Sequence, residues 1–181
     1  MNATEEESWL VLRAQAGDHE ALDALLKRVQ MPLFRYIQSL VTETALAEDV
    51  LQEVFLRMYR KLHWLREPEL FRPWAYRIAT NEAFRQLKRQ RLWSERMGEE
   101  ELLAQLPALP NHTSFAAEWA AQLPQLIAAL SPSSRAVIGL YYLHELSLEE
   151  VATVLDIPVG TVKSRLAYGL SQLRKQMKGN A

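Results

Sequence analysis

Residues Leu146 to Arg174 read LSLEEVATVLDIPVGTVKSRLAYGLSQLR, and their spacing predicts two short helices joined by a tight turn. Ser147 followed by Glu150 forms a capping box: the hydroxyl accepts the N–H three residues on, while the carboxylate reaches back to the cap. Val151, Ala152 and Leu155 give an apolar face at helical spacing, and Ala152 is small enough for a second helix to cross closely. Asp156-Ile157-Pro158 ends that helix, because the residue before a proline is pushed out of the helical region and proline has no N–H to donate. A second helix is expected from Gly160 or Thr161, burying Val162, Leu166, Leu170 and Leu173. Thr161, Lys163, Ser164 and Arg165 fall in its first turns and largely off that seam. Such donors suit phosphates and base edges in a major groove, so the pattern reads as a helix-turn-helix. The same spacing also describes an αα-hairpin in a bundle, with the cations merely solvated.

Outward from this motif the chain stays helical. Its 181 residues include only 6 glycines and no cysteine, with net charge −1. The composition favours helix nearly throughout, and no alternating run is long enough for a sheet. Absent cysteine removes disulfides, thiolate metal sites and cysteine catalysis. No segment has the apolar length of a membrane span, and the start MNATEEESW is acidic without a secretory pattern, so a soluble cytoplasmic protein is expected, without membrane insertion. Charge is segregated. Between Arg72 and Arg96 the bases Arg72, Arg77, Arg85, Lys88, Arg89, Arg91 and Arg96 face only Glu82 and Glu95, and no acid follows Asp156. Two basic segments in a nearly neutral chain suit two nucleic-acid surfaces, with other faces turned toward protein.

Helical periodicity covers Glu6 to about Arg28, with a break at Gly17-Asp18. A separate helix is expected from Met31 to Val41, with Pro32 at its start. Ala45 to Lys61 is amphipathic, with Val50, Val54, Phe55, Met58 and Leu62 as its seam. His63 to Leu70 reads as a loop, followed by a basic aromatic helix from Phe71 or Pro73 to about Trp93. Ser94 to Glu118 is acidic and broken by Pro107 and Pro110, which suggests a linker with a short helix at Glu99 to Leu106. Beyond it come helices at Trp119 to Leu130 and Ser133 to His144, the latter capped by Ser131 with Pro132 at its first turn.

Two constellations lie in the N-terminal half. Asp49, Gln52 and Glu53 share a helix face opposite Val50, Val54 and Met58. They would suit arginines on a partner helix, or simply solvation. Paired acids also raise a general acid–base reading, but no nucleophile, metal-ligand histidine pair or phosphate loop accompanies them. Neither a cofactor, a metal nor a small-molecule substrate is therefore expected. The second constellation is FRPWAYRIATNEAFRQLKRQRLW, where Arg77, Asn81, Arg85 and Lys88 align along one face with Trp74, Tyr76 and Phe84 interleaved. Cations can track a backbone while aromatics stack on unpaired bases. Alternatively, Trp74, Ile78 and Phe84 are core and the cations solvate the outside.

In this order the blocks resemble a bacterial RNA polymerase sigma factor of the extracytoplasmic-function group in the sigma-70 family. The resemblance implies a non-enzymatic transcription initiation factor: an all-α chain of two small domains, residues 1–95 and 119–181, joined by a linker at 96–118. It implies core-polymerase docking through Asp49, Gln52, Glu53, Phe55 and Leu56. The run from Pro73 to Asn81 would melt and read the −10 element through Trp74, Tyr76, Arg77 and Asn81, with Arg85, Lys88 and Arg89 on the backbone. The run from Pro158 to Leu166 would read the −35 element, through Thr161, Lys163, Ser164 and Arg165, with Tyr168 beyond them. The partners implied are core RNA polymerase, promoter DNA and an anti-sigma factor. No further domain is expected after Ala181, which leaves regulation to such a separate protein. Where relatives commonly carry more arginines, this chain runs Ala167-Tyr168-Gly169-Leu170, and a mid-helix glycine costs up to about 1 kcal/mol relative to alanine. Weaker backbone contacts are expected there. The residues themselves leave open a dimeric helix-turn-helix regulator that binds duplex DNA, with the N-terminal half as its effector or oligomerisation domain.

Overall fold

The computed structural model describes residues 3–97 and 126–179, and among these every regular element is helical. Helix α1 (Ala3–Gln15) turns at Gly17, whose φ of +94° lies where L side chains are strained. Asp18 then caps α2 (His19–Val41), accepting from the Ala21 N–H at 3.0 Å. The helix expected to begin at Pro32 is instead the second half of α2, with Pro32 in its interior. A proline there costs about 3 kcal/mol, but Leu25, Val29, Leu33, Tyr36, Ile37 and Leu40 continue one buried stripe past it. Packing along that stripe outweighs the missing hydrogen bond.

Helix α3 (Thr44–Lys61) buries Val50, Val54 and Met58, and Phe55 packs partly against the same core. The expected loop after it contains two single 3₁₀ turns, Leu62–Trp64 and Pro68–Leu70. Gln15 clamps the segment by donating to the carbonyls of Leu62 and Leu65 at 2.9 and 2.8 Å. Helix α4 (Phe71–Met97) packs on α2 and α3. Its first turn is tied to α1 by Arg72, which donates from Nε and Nη2 to the buried carboxylate of Glu7.

The linker beyond residue 97, with its expected helix at Glu99 to Leu106, and the beginning of the helix at Trp119 lie outside the described residues. Ser131 caps α5 (Pro132–Ile138) as expected. The chain then widens into a π-turn, Gly139–Leu143, so the helix expected to reach His144 changes pitch before its end. Helix α6 (Leu148–Leu155) carries the predicted capping box in full. Asp156 ends it in the left-handed region, with φ 54°, and the Ile157 N–H returns to the Ala152 carbonyl. Helix α7 (Val159–Gly179) buries Val162, Leu166 and Leu173, while Leu170 is half-buried.

The two helical modules, α1–α4 and α5–α7, pack against each other, α2 meeting α5 and α4 meeting α6. Their buried residues form one continuous core that runs from Val11 through Tyr36 and Val137 to Leu173. No helix among the described residues is long and apolar enough to cross a membrane.

Candidate nucleic-acid interface

Three groups of predicted residues fall on three separate surfaces. On α4, the helical repeat turns Ala75, Ala79 and Ala83 inward and leaves Arg77, Asn81, Arg85, Lys88 and Arg89 exposed. The donor line foreseen from spacing is thus exposed along its length, although Arg85 is paired with Glu82. The aromatics behave differently from the stacking expectation. Trp74 and Phe84 are half-buried against the core, and Tyr76 is only 6 % exposed. Trp74, Ile78 and Phe84 pack partly against the core, as the core alternative held.

Tyr76 belongs instead to a polar clasp between the modules. Its hydroxyl lies 2.8 Å from His144 Nδ1, and the two rings are 4.9 Å apart. Tyr36 meets both rings edge-on, at 5.3 and 5.5 Å. The Thr80 hydroxyl donates to the Tyr76 carbonyl, so at 2.8 Å from Tyr36 it receives the Tyr36 proton. Burial raises the pKa of both tyrosines. Burial, aided by the positive charge of Arg35, lowers His144 to about 4, so its ring is neutral here at pH 7. Alongside, Arg135 Nη1 donates to the Ser39 carbonyl at 3.1 Å, and burial lowers the pKa of that guanidinium. Gly139 passes 3.5 Å from the Tyr36 ring, measured from the Cβ it lacks. Sequence reasoning missed this clasp. Its one visible signal was a lone histidine ending the apolar run Gly139 to Leu143.

On α7, Lys163, Ser164 and Tyr168 are exposed, while Thr161 and Arg165 are half-exposed. Pro158 offers its carbonyl to the N–H groups of Thr161 and Val162, which fixes the first turn, and Ser164 Oγ donates to the Gly160 carbonyl. Gly169 has a packing reason. A Cβ there would stand 2.7 Å from Ile138 Cδ1, so α7 crosses α5 closely and a larger residue would push the tip of Ile138 aside. The glycine is therefore a crossing point that orients α7.

On α3, Asp49, Gln52 and Leu56 are exposed and Phe55 is half-buried. Glu53 is engaged within the molecule, accepting from Arg57 Nε at 3.1 Å. Arg57 in turn reaches Glu82 of α4 at 2.7 Å. Glu82, buried at 3 % exposure, accepts from Arg85 Nε and Nη2 at 3.0 and 2.6 Å. This four-residue network also went unforeseen, although Glu82 stood out as an isolated acid three residues before Arg85.

Residues 25–92 match the family described as Sigma-70 region 2, and residues 126–175 match Sigma-70, region 4. Over 177 residues the chain is 32 % identical to the ECF RNA polymerase sigma factor SigW of Bacillus subtilis, covering 93 % of this chain and 95 % of the relative. It is 34 % identical over 190 residues to the RNA polymerase sigma-H factor of Pseudomonas aeruginosa, covering 98 % and 97 %. Among solved structures, CnrH in complex with the cytosolic domain of CnrY matches with a TM-score of 0.72 at 22 % identity, covering 97 % of this chain and 99 % of that one. The sigma factor RpoE of Bartonella quintana, in complex with the anti-sigma factor NepR, matches with a TM-score of 0.69 at 20 % identity, covering 86 % and 96 %. These two likenesses concern the fold.

Proposed function

Because the chain belongs to the extracytoplasmic-function group of the sigma-70 family, we propose that each of its three exposed residue groups carries one step of promoter recognition. The protein is a transcription initiation factor that directs core RNA polymerase to promoters. Its partners are the core enzyme, promoter DNA and an anti-sigma factor. The domain at 1–95 docks the core through Asp49, Gln52, Glu53, Phe55 and Leu56, and engages the −10 element through α4. Arg77, Asn81, Arg85, Lys88 and Arg89 track the strand. Trp74 and Tyr76 supply aromatic faces, Tyr76 only after the modules separate. The domain at 119–181 reads the −35 element in the major groove through Thr161, Lys163, Ser164, Arg165 and Tyr168, and 96–118 connects the two. The protein catalyses no reaction itself, needs no cofactor and works in the cytoplasm beside its polymerase.

One observation carries this reading: a line of exposed donors on α4 coexists with an exposed Asp49–Gln52–Leu56 face and a capped helix-turn-helix in one chain. A dimeric regulator would need the helix-turn-helix but has no use for the other two surfaces. Reconstitution with core polymerase and a promoter library tests it, with specific transcripts as the expected result. Binding to duplex DNA as a dimer, with neither core association nor transcripts, would refute it. Asp49→Ala with Gln52→Ala should weaken core binding at least tenfold while leaving the fold intact.

A further inference from the structure

The charge network between α3 and α4 joins the core-docking helix to the proposed DNA helix. Arg57 Nε lies 3.1 Å from Glu53 and 2.7 Å from Glu82. Arg85 donates twice to Glu82 and stands 3.9 Å from Glu53. Two carboxylates thus balance two guanidiniums. Glu82 is sequestered, its side chain 4 % exposed, whereas Glu53 and Arg85 face outward at 34 % and 45 %. The buried acid cannot leave; the outer acid can be claimed by a partner.

We propose that Glu82, with Glu53, is a positioning device that holds Arg85 neutralised in the free protein and releases it to the −10 strand when polymerase takes Glu53. The proposal rests on the assignment of α3 to core docking and α4 to DNA. When a cation of the core pairs with Glu53, Arg57 loses one of its two acids and draws more fully on Glu82. Arg57 and Arg85, which already hold Oε1 and Oε2 of Glu82, are then left with one acid between them, and the excess charge of the exposed Arg85 turns toward phosphate. Because such coupling is reciprocal, DNA held by Arg85 strengthens core binding by the same factor.

The test uses the full chain and a single-stranded oligonucleotide containing a −10 element, with affinity followed by fluorescence anisotropy across a salt series. Glu53→Gln and Glu82→Gln imitate release. Each should raise affinity about threefold, the scale of one surface ion pair, and steepen the salt dependence by about 0.7, one added phosphate contact on a single strand. Adding Arg85→Ala to either should erase both gains. Glu48→Gln, an equal charge change at an exposed site on α3, separates a specific release from a general loss of negative charge. Gains as large in Glu48→Gln, or gains that survive Arg85→Ala, overturn the proposal. Should the buried Glu82→Gln fail to fold, Glu53→Gln at its exposed site decides alone. If Arg77→Ala and Lys88→Ala weaken binding but Glu53→Gln brings no gain, the release is wrong and the DNA assignment stands. If no α4 substitution weakens binding, both fall.

Discussion

Lowering the pH should open the clasp between the modules, because His144 is held neutral against Tyr76 and Tyr36. Its pKa is lowered to about 4, first by burial and then by Arg35, whereas a separated module would return the ring to about 6.5. Between those values the open state binds a proton that the closed state does not, so closure loses stability as pH falls from about 6.5 to about 4. Above that window His144 contributes no pH dependence. The full displacement would correspond to about 3 kcal/mol, but part of the ring faces solvent, and about 1–2 kcal/mol is the discounted expectation. That is roughly a tenfold rise in the open population. The charged and titratable neighbours are Arg35 beside the ring, Arg72 and Glu7 beside Tyr76, and Glu145 near Arg72. The signal is the difference between wild type and His144→Gln. With no native cysteine, dyes at Gln90→Cys and Ser171→Cys, both exposed positions, can report separation by energy transfer. Wild type should open across the window, and His144→Gln should open more at neutral pH but show no titration step. Coincident pH curves for the two proteins would refute the role given to the imidazole.

Gly169→Ala gains about 1 kcal/mol of helix propensity but drives a Cβ to 2.7 Å from Ile138 Cδ1. Turning the tip of Ile138 aside costs about 0.5–1.5 kcal/mol, so the two effects should nearly cancel, and adding Ile138→Val should leave the propensity gain uncovered in a denaturation cycle; strict additivity would show that the two do not touch. Arg72→Ala leaves the Glu7 carboxylate buried with only Arg28 at 3.7 Å, so a loss of about 2–3 kcal/mol is expected from urea titration. That is more than Glu7→Gln should cost, since Arg72 is half-exposed; the opposite order would contradict the burial argument. Ser147→Ala removes the cap of α6 and should cost about 1 kcal/mol, measured in the same way. In oligonucleotide competition, the closed wild type should discriminate a −10 strand from a scrambled one less than His144→Ala does, because only the open form frees Tyr76. Equal discrimination would remove Tyr76 from base reading.

What the sequence disclosed were features with local causes. The capping box at Ser147, the stop at Asp156 and the cap at Ser131 involve residues three or four apart, so spacing is enough to place them. The donor line on α4 follows from the helical repeat in the same way. Pro32 was misread because proline marks helix starts only when nothing outweighs its cost, and the compensating stripe from Leu25 to Leu40 is tertiary. Gly169 looked like a defect until Ile138, thirty-one positions earlier in the chain, came within 2.7 Å of its missing Cβ. The clasp and the Glu82 network likewise depend on contacts between helices, which period and composition do not encode.

The closed arrangement withholds one component of the proposed −10 surface while leaving the other in place. Arg77, Asn81, Lys88 and Arg89 remain exposed, so attraction to a strand would persist when the modules are together. Tyr76, with 6 % exposure, is kept from a base by the same ring contact that holds His144. Under the proposed assignment, cations supply sequence-independent affinity and aromatic faces supply the capture of unstacked bases. Separation of the modules would therefore change selectivity more than it changes strength. The same step frees the face of α6 that packs on α4, so the helix-turn-helix gains room to follow a duplex as Tyr76 becomes available. Under that assignment, the Tyr76–His144 contact, set within the wider packing of α4 on α6, would make the activation of the two proposed readers concerted.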